Sequence, residues 1–323
     1  MTRRPDSQTD SSARLLAAAR TLGVDALAAE TIEALRAAGI RSILLKGPAL
    51  AGWLYGDGAL REYDDCDLLV DPADTDRAGA VLRELGFQPL VDRTDPYGAA
   101  MAPPHAECWT RGSRNEDIVD LHDCLFGAHA DKEAAWRVLS IRTEPVVLAG
   151  AAAEMLNAPR RAVVVALHAA ANGGGGTRSL EDLRRALELA DESVWRKAAR
   201  IAKRIDALES FAAGLRLLPA GRALAGRLGL QPPASPEVLL HASTIPDGAL
   251  FLRAFRDAES ARERSRLLAR ALVPPPRYMR ARSPLARRGR IGLGAAYAVR
   301  ALTRLATAAP AFRAIRVARR GES

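Results

Sequence analysis

The sequence predicts an α+β protein, with a small sheet and its helices in the first 150 residues and an all-α half after them. Three observations carry this. Short apolar runs separated by polar turns recur between residues 40 and 122. Asp117 to His122 alternates with period two and faces a matching run, Ala106 to Arg111, across Gly112-Ser113-Arg114-Asn115. From Pro159 the spacing is helical almost to Ala271, broken at Gly173 to Gly176 and at Gln231-Pro-Pro.

Taken in order, residues 1–10 are polar, and Ser12 to Ala38 reads as two helices with Val24, Leu27, Ile32 and Leu35 on one stripe. Ile40 to Leu45 reads as a buried strand that ends in Lys46-Gly47-Pro48. Pro48 suits the first helical position, which makes Gly47 the N-cap and sets Lys46 at the strand's edge. A helix N-terminus beside a lysine suits phosphate; a solvated lysine at a strand end is the plainer account.

Arg61 to Asp71, Arg-Glu-Tyr-Asp-Asp-Cys-Asp-Leu-Leu-Val-Asp, leads from an exposed turn into an apolar strand. On a strand Asp65 and Asp67 share one face while Cys66 turns to the other. Two carboxylates on one face suit a divalent cation, because Mg²⁺ takes oxygen ligands and is held by one or two carboxylates together with substrate phosphates. Asp71-Pro72 caps the next helix, Phe87 to Val91 is a further strand, and residues 92–104 form a loop. In the following hairpin Ile118, Asp120 and His122 share a face, while Val119 and Leu121 point into the core. An unpaired charge at Asp120, among apolar neighbours, is costly and calls for a partner.

Composition narrows the class. The chain is 48% apolar and 26% charged, as globular proteins are, and its net charge of +9 is not spread evenly. Residues 274–323 hold twelve arginines and one acid, Glu322, so the body is close to neutral, which argues against a large RNA acceptor. Cys66, Cys108 and Cys124 have no Cys-x-x-Cys spacing and read as buried thiols in a reducing compartment. No apolar run approaches the length of a membrane span, and a cytoplasmic location is expected. No Gly-x-Gly-x-x-Gly or Walker lysine motif occurs, which argues against dinucleotide binding and P-loop chemistry.

LLKGPAL at 44–50, RxYDDCDLLV ending at 70 and VDLH at 119–122, in that order and spacing, resemble the motifs of a family of uncharacterised bacterial nucleotidyltransferases of the DNA polymerase β-like superfamily. The likeness spans roughly residues 25–190. It implies a polymerase-β-like catalytic domain, a small mixed sheet with flanking helices, at 23–150. Around it lie an N-terminal polar segment and helix at 1–22, a helical domain at 151–272 and an Arg-rich tail at 273–323. It implies that Asp65, Asp67 and Asp120 are catalytic and bind metal. Lys46, Gly47, Arg61, His122, His168 and Asp182 would then contact the nucleotide. One or two Mg²⁺ ions and an NTP such as ATP are the implied cofactor and co-substrate. The chain departs from the pattern at Pro48, which has no N–H for a phosphate, and it lacks a second histidine near Asn172.

Two of these residues have simpler accounts. Ser179-x-x-Asp182 reads as a capping box at a helix start, and His168 in AVVVALHAAA reads as a hydrogen-bonded core histidine. The expected reaction transfers an NMP to a small-molecule, peptide or protein acceptor and releases pyrophosphate. The alternatives are a non-catalytic module of the same fold, a metal-dependent glycosyltransferase that also uses Asp-x-Asp, and a tRNA-modifying nucleotidyltransferase. In the tail, Ile291, Leu293, Tyr297, Leu302 and Leu305 lie among Arg290, Arg300 and Arg304. They read as a basic amphipathic helix for an anionic membrane surface, nucleic acid or acidic partner, or else as a helix packed on the body.

Overall fold

A computed structural model describes residues 7–56, 59–90, 105–112, 116–242, 255 and 258–303. The loop at 92–104, hairpin positions 113–115, Arg304 and Leu305 lie outside the described residues. Seven strands form one mixed sheet in the order β3-β4-β5-β2-β1-β7-β6. They are β1 (Ser42–Leu44), β2 (Cys66–Val70), β3 (Gln88–Pro89), β4 (Ala106–Arg111), β5 (Asp117–His122), β6 (Thr143–Leu148) and β7 (Ala151–Leu156). β1 is antiparallel to β2 and parallel to β7, and β2 is parallel to β5.

Alternation along the central strands sends side chains to two cores. Leu44, Leu68, Val70, Val119 and Leu121 pack with α1 (Ser7–Ala37) and α3 (Thr75–Glu84). Ile43 and Leu69 turn to the opposite face. There they meet α2 (Pro48–Leu54), α4 (Lys132–Ser140) and the helical half. Asp67 is two residues before Leu69, and Asp120 and His122 are in register with Asp67 and Leu69. Strand periodicity therefore aims all three at the face that the helices cover.

The helical half is built round α5 (Ala158–Asn172), which is buried along most of its length. α6 (Thr177–Leu189), α7 (Glu192–Arg204), α8 (Leu208–Leu215) and α9 (Pro219–Arg227) surround it, and Trp195, Ile201, Phe211 and Leu224 share its core. α5 and α8 cross so closely that a Cβ on Gly214 would overlap the Ala166 carbonyl. Gly214→Ala should destabilise the protein by about 3 kcal/mol in urea titration, because backbone atoms cannot rotate out of the way. α10 (Pro236–Ala242), α11 (Ala261–Leu272) and α12 (Pro276–Arg282) follow.

Three features differ from the sequence reading. The N-terminal pattern is one helix, since Gly23 sits inside α1 at only the usual glycine cost. The helical spacing after Pro159 also breaks just past the end of α7, at Asp206, whose φ is 51°. The β6–β7 hairpin adds two strands, one of them beyond residue 150, where the sequence shows no strand signal.

Part of the tail lies on the body. Arg277 of α12 donates to the Gln88 carbonyl at 2.8 Å and the Thr110 hydroxyl at 3.0 Å, tying it to the β3–β4 edge. Helical residues 289–303 pack Leu293, Ala296 and Tyr297 on Tyr278, Met279 and Ala286, while Ile291 is 90% and Leu302 67% exposed. Cys66, Cys108 and Cys124 form no disulfide among the described residues, and the first and last are buried. Among the described residues no helix is long and apolar enough to cross a membrane.

Candidate active site

β1 delivers the first side chain. Its antiparallel pairing with β2 continues past Leu44, where the Leu45 amide donates to the Asp67 carbonyl at 3.1 Å, and this sets Lys46 against Asp67. Lys46 Nζ lies 2.6 Å from Asp67 Oδ1. Gly47 caps α2 with φ 54°, a left-handed conformation that side chains resist. Pro48 has no amide proton, and the Ala49 amide is taken by the Lys46 carbonyl. The turn therefore offers a ligand fewer amides than a Gly-Gly turn would.

β2 and β5 supply the acids. Asp67 and Asp120 are direct partners on parallel neighbouring strands, and Asp65 lies at the bend just before β2 rather than within it. His122 Nε2 donates to Asp67 Oδ1 at 3.0 Å, because a carboxylate can only accept. Donor atoms of Asp67, Asp120 and His122 all lie within 4.8 Å of one another.

Burial raises the Asp67 pKa, but Lys46 and His122 outweigh it and hold the group well below the usual carboxylate range. Burial and the Asp67 charge push Asp120 up, and they push Asp65 up to about 7 despite Lys46. For Lys46 the Asp67, Asp65 and Asp120 charges overcome burial, and the ammonium is held more firmly than usual.

The helical half closes the site with two residues that sequence reasoning had explained otherwise. Asp182 is fully buried and is not a capping residue: α6 begins at Thr177 with Gly176 as its N-cap, and Ser179 Oγ donates to the Gly176 carbonyl. Asp182 instead accepts from Arg61 Nε at 3.0 Å, Arg61 Nη2 at 2.8 Å and the Tyr55 hydroxyl at 2.8 Å. Tyr55 had no signal in the sequence, because its partner lies 127 residues away. His168 is half-buried on α5, close enough to Lys46, Arg61 and His122 for their charges to act on it. Burial and the Lys46 charge push its pKa down to about 3.

The structure thus brings together Lys46, Asp65, Asp67, Asp120, His122, Arg61, His168 and Asp182. Four buried polar atoms among them have no partner in the protein: Arg61 Nη1, Asp120 Oδ1, His122 Nδ1 and His168 Nδ1. Orphans of this kind are uncommon in folded proteins, and a cluster of four marks a place for a polar ligand.

Asp65 and His168 impose opposite pH dependences on stability. The Asp65 pKa rises from 3.8 to about 7 on folding, so its contribution is complete below pH 3.8 and is lost as pH rises through 7. The His168 pKa falls from 6.5 to about 3, so its contribution is complete above pH 6.5 and is lost as pH falls towards 3. Between these limits the two oppose each other. In urea titrations with EDTA, Asp65→Asn should add an acid-side loss of about 1 kcal/mol per pH unit, and His168→Asn should tilt the profile the other way. Identical profiles in both variants would contradict these shifts.

The profile of a family described as uncharacterised nucleotidyltransferase matches residues 10–220. The chain belongs to this family and is a nucleotidyltransferase, which sets the glycosyltransferase alternative aside. Five solved chains resemble it. One is the solution structure of the antibiotic-resistance factor ANT(2'')-Ia, 17% identical with a TM-score of 0.40, covering 57% of this chain and 94% of that one. Another is a crystal structure of ANT(2")-Ia with adenylyl-2"-tobramycin, 16% identical with a TM-score of 0.39, covering 54% of this chain and 94% of that one. No curated protein matches the sequence.

Proposed function

We propose that the protein transfers an NMP from an NTP to a hydroxyl of a small-molecule, peptide or protein acceptor in an Mg²⁺-dependent reaction. The observation that carries this is the register of Asp67 against Asp120, which sets two carboxylates side by side with Asp120 Oδ1 unpartnered. The donor set fits the ion, since Asp67 and Asp120 offer hard oxygens and the bond from His122 fixes the Asp67 carboxylate. Bound Mg²⁺ would neutralise triphosphate charge and make the attacking hydroxyl more acidic.

The residues divide the remaining work. Lys46 supplies a cation for the triphosphate. Arg61, locked on Asp182 through Nε and Nη2, presents Nη1 as a fixed donor. The acceptor oxygen bonds to the α-phosphorus as the bond to pyrophosphate breaks, and the Asp120 carboxylate takes the hydroxyl proton. The near-neutral body favours an acceptor that is not a polyanion.

A thermal-shift panel of four NTPs with and without Mg²⁺ tests the nucleotide. Ligand at 100 times Kd should stabilise the protein by about 2.7 kcal/mol, and only when Mg²⁺ is present. Transfer of label from the α-³²P form of the stabilising NTP onto candidate acceptors then tests the reaction. No Mg²⁺-dependent shift with any NTP would refute the proposal.

A further inference from the structure

Asp67 Oδ1 is doubly engaged, by Lys46 Nζ at 2.6 Å and by His122 Nε2 at 3.0 Å. The Lys46 ammonium thus stands against the carboxylate that the reading above gives to a divalent cation. Asp65 and Asp120 also act on this ammonium, and the side chain is 18% exposed. Two features limit where it can go. Its backbone is fixed between β1 and the left-handed Gly47, and the neighbouring guanidinium of Arg61 already occupies Asp182.

A bare divalent cation approaching Asp67 meets this ammonium head-on. Like charges a few ångströms apart in a partly buried site repel by far more than a factor of ten in affinity, at an effective dielectric of about 20. An ion that arrives on a triphosphate brings the anion that can receive the ammonium. Four side-chain torsions let Nζ swing from carboxylate to phosphate while the backbone stays in place.

Building on the nucleotidyltransferase reading, we propose that Lys46 competes with free divalent cations for Asp67, so that metal enters as the metal–nucleotide complex and Lys46 passes from carboxylate to phosphate. Lys46 then sets the order of binding as well as helping to hold the nucleotide.

The test titrates MnCl₂ alone, and each NTP with Mn²⁺, into wild type and Lys46→Met. The variant should bind MnCl₂ alone about tenfold or more tighter than wild type and the Mn–nucleotide complex about tenfold weaker, a reversal of sign that damage to the fold would not produce. Wild type that binds Mn–nucleotide, together with a variant whose affinity for MnCl₂ is unchanged or reduced, overturns the proposal but leaves the nucleotide site standing. Wild type that binds no nucleotide with or without Mn²⁺ overturns both.

Should Lys46→Met fail to fold, wild type alone decides. The chain has four lysines, so selectively labelled lysine side chains give four NMR signals, with Lys46 identified by its loss in Lys46→Arg. The Lys46 signal should move with Mg²⁺ plus nucleotide and stay in place with MgCl₂ alone. Movement with MgCl₂ alone would mean that free metal reaches Asp67 without nucleotide, and would overturn the proposed order.

Discussion

Asp120→Asn is expected to cut nucleotidyl transfer by about a thousandfold or more, and at the same time to raise the melting temperature of the metal-free protein. The two effects share one origin. Asp120 is a mostly buried carboxylate beside Asp67, with one oxygen that has no partner, and its pKa is raised by burial and by the Asp67 charge. A folded-state pKa above the unfolded value means that the ionised group opposes folding at neutral pH. Asparagine removes the repulsion and keeps the shape, but it can neither ligate a hard cation as a carboxylate does nor take a proton. Asp67→Asn should be as inactive yet less stable, because Lys46 and His122 would lose the anion on which both converge. Transfer assays and melting curves on both variants check the pattern. Matching stability changes, or activity retained in Asp120→Asn, would contradict it.

Breaking the Arg61–Asp182 pair should cost about 3 to 5 kcal/mol, the range expected when one buried ion loses its partner. Both side chains are nearly inaccessible, at 3% and 0% exposure. Asp182→Asn would strand a guanidinium that cannot shed its proton at any relevant pH. Arg61→Met would strand a carboxylate with only the Tyr55 hydroxyl for company. The double variant Arg61→Met/Asp182→Leu should recover most of the loss, because removing both charges also removes their desolvation cost. Urea titration of the two singles and the double gives the coupling directly. Additive losses would mean that the pair does not act as a unit.

The placing of Asp67 and Asp120 was legible in the sequence because strand periodicity is local, whereas Asp65 lies at the bend before β2. Asp120 alternates with Val119 and Leu121, which are almost fully buried, and that pattern alone puts it on the opposite face. Gly47 and Pro48 likewise announced the start of α2. Other features carry no such signature. The β6–β7 hairpin turns at Ala149-Gly150, both with positive φ, as a two-residue turn requires. Alanine is a poor advertisement for such a turn where asparagine would be a clear one. Pro145 sits in β6, which is an edge strand and tolerates it, and the alanines of β7 read as helix. The capping-box account of Asp182 fails for another reason: the spacing is real, but its partner Arg61 lies 121 residues away, and no window of local sequence contains that distance.

This separation has a consequence for how the enzyme comes to exist. Chains emerge from the ribosome N-terminus first, and large proteins fold in stages as they appear. Asp67 and Asp120 are made early, yet β1 lacks its second neighbour until β7 is complete at Leu156. The guanidinium of Arg61 lacks its hydrogen-bonded partner until Asp182 follows. A nascent or truncated chain ending between residues 122 and 182 therefore carries Arg61 without the carboxylate that locks it. The buried pair is complete only with α6, so the helical half finishes the surroundings of Arg61 as well as covering the sheet.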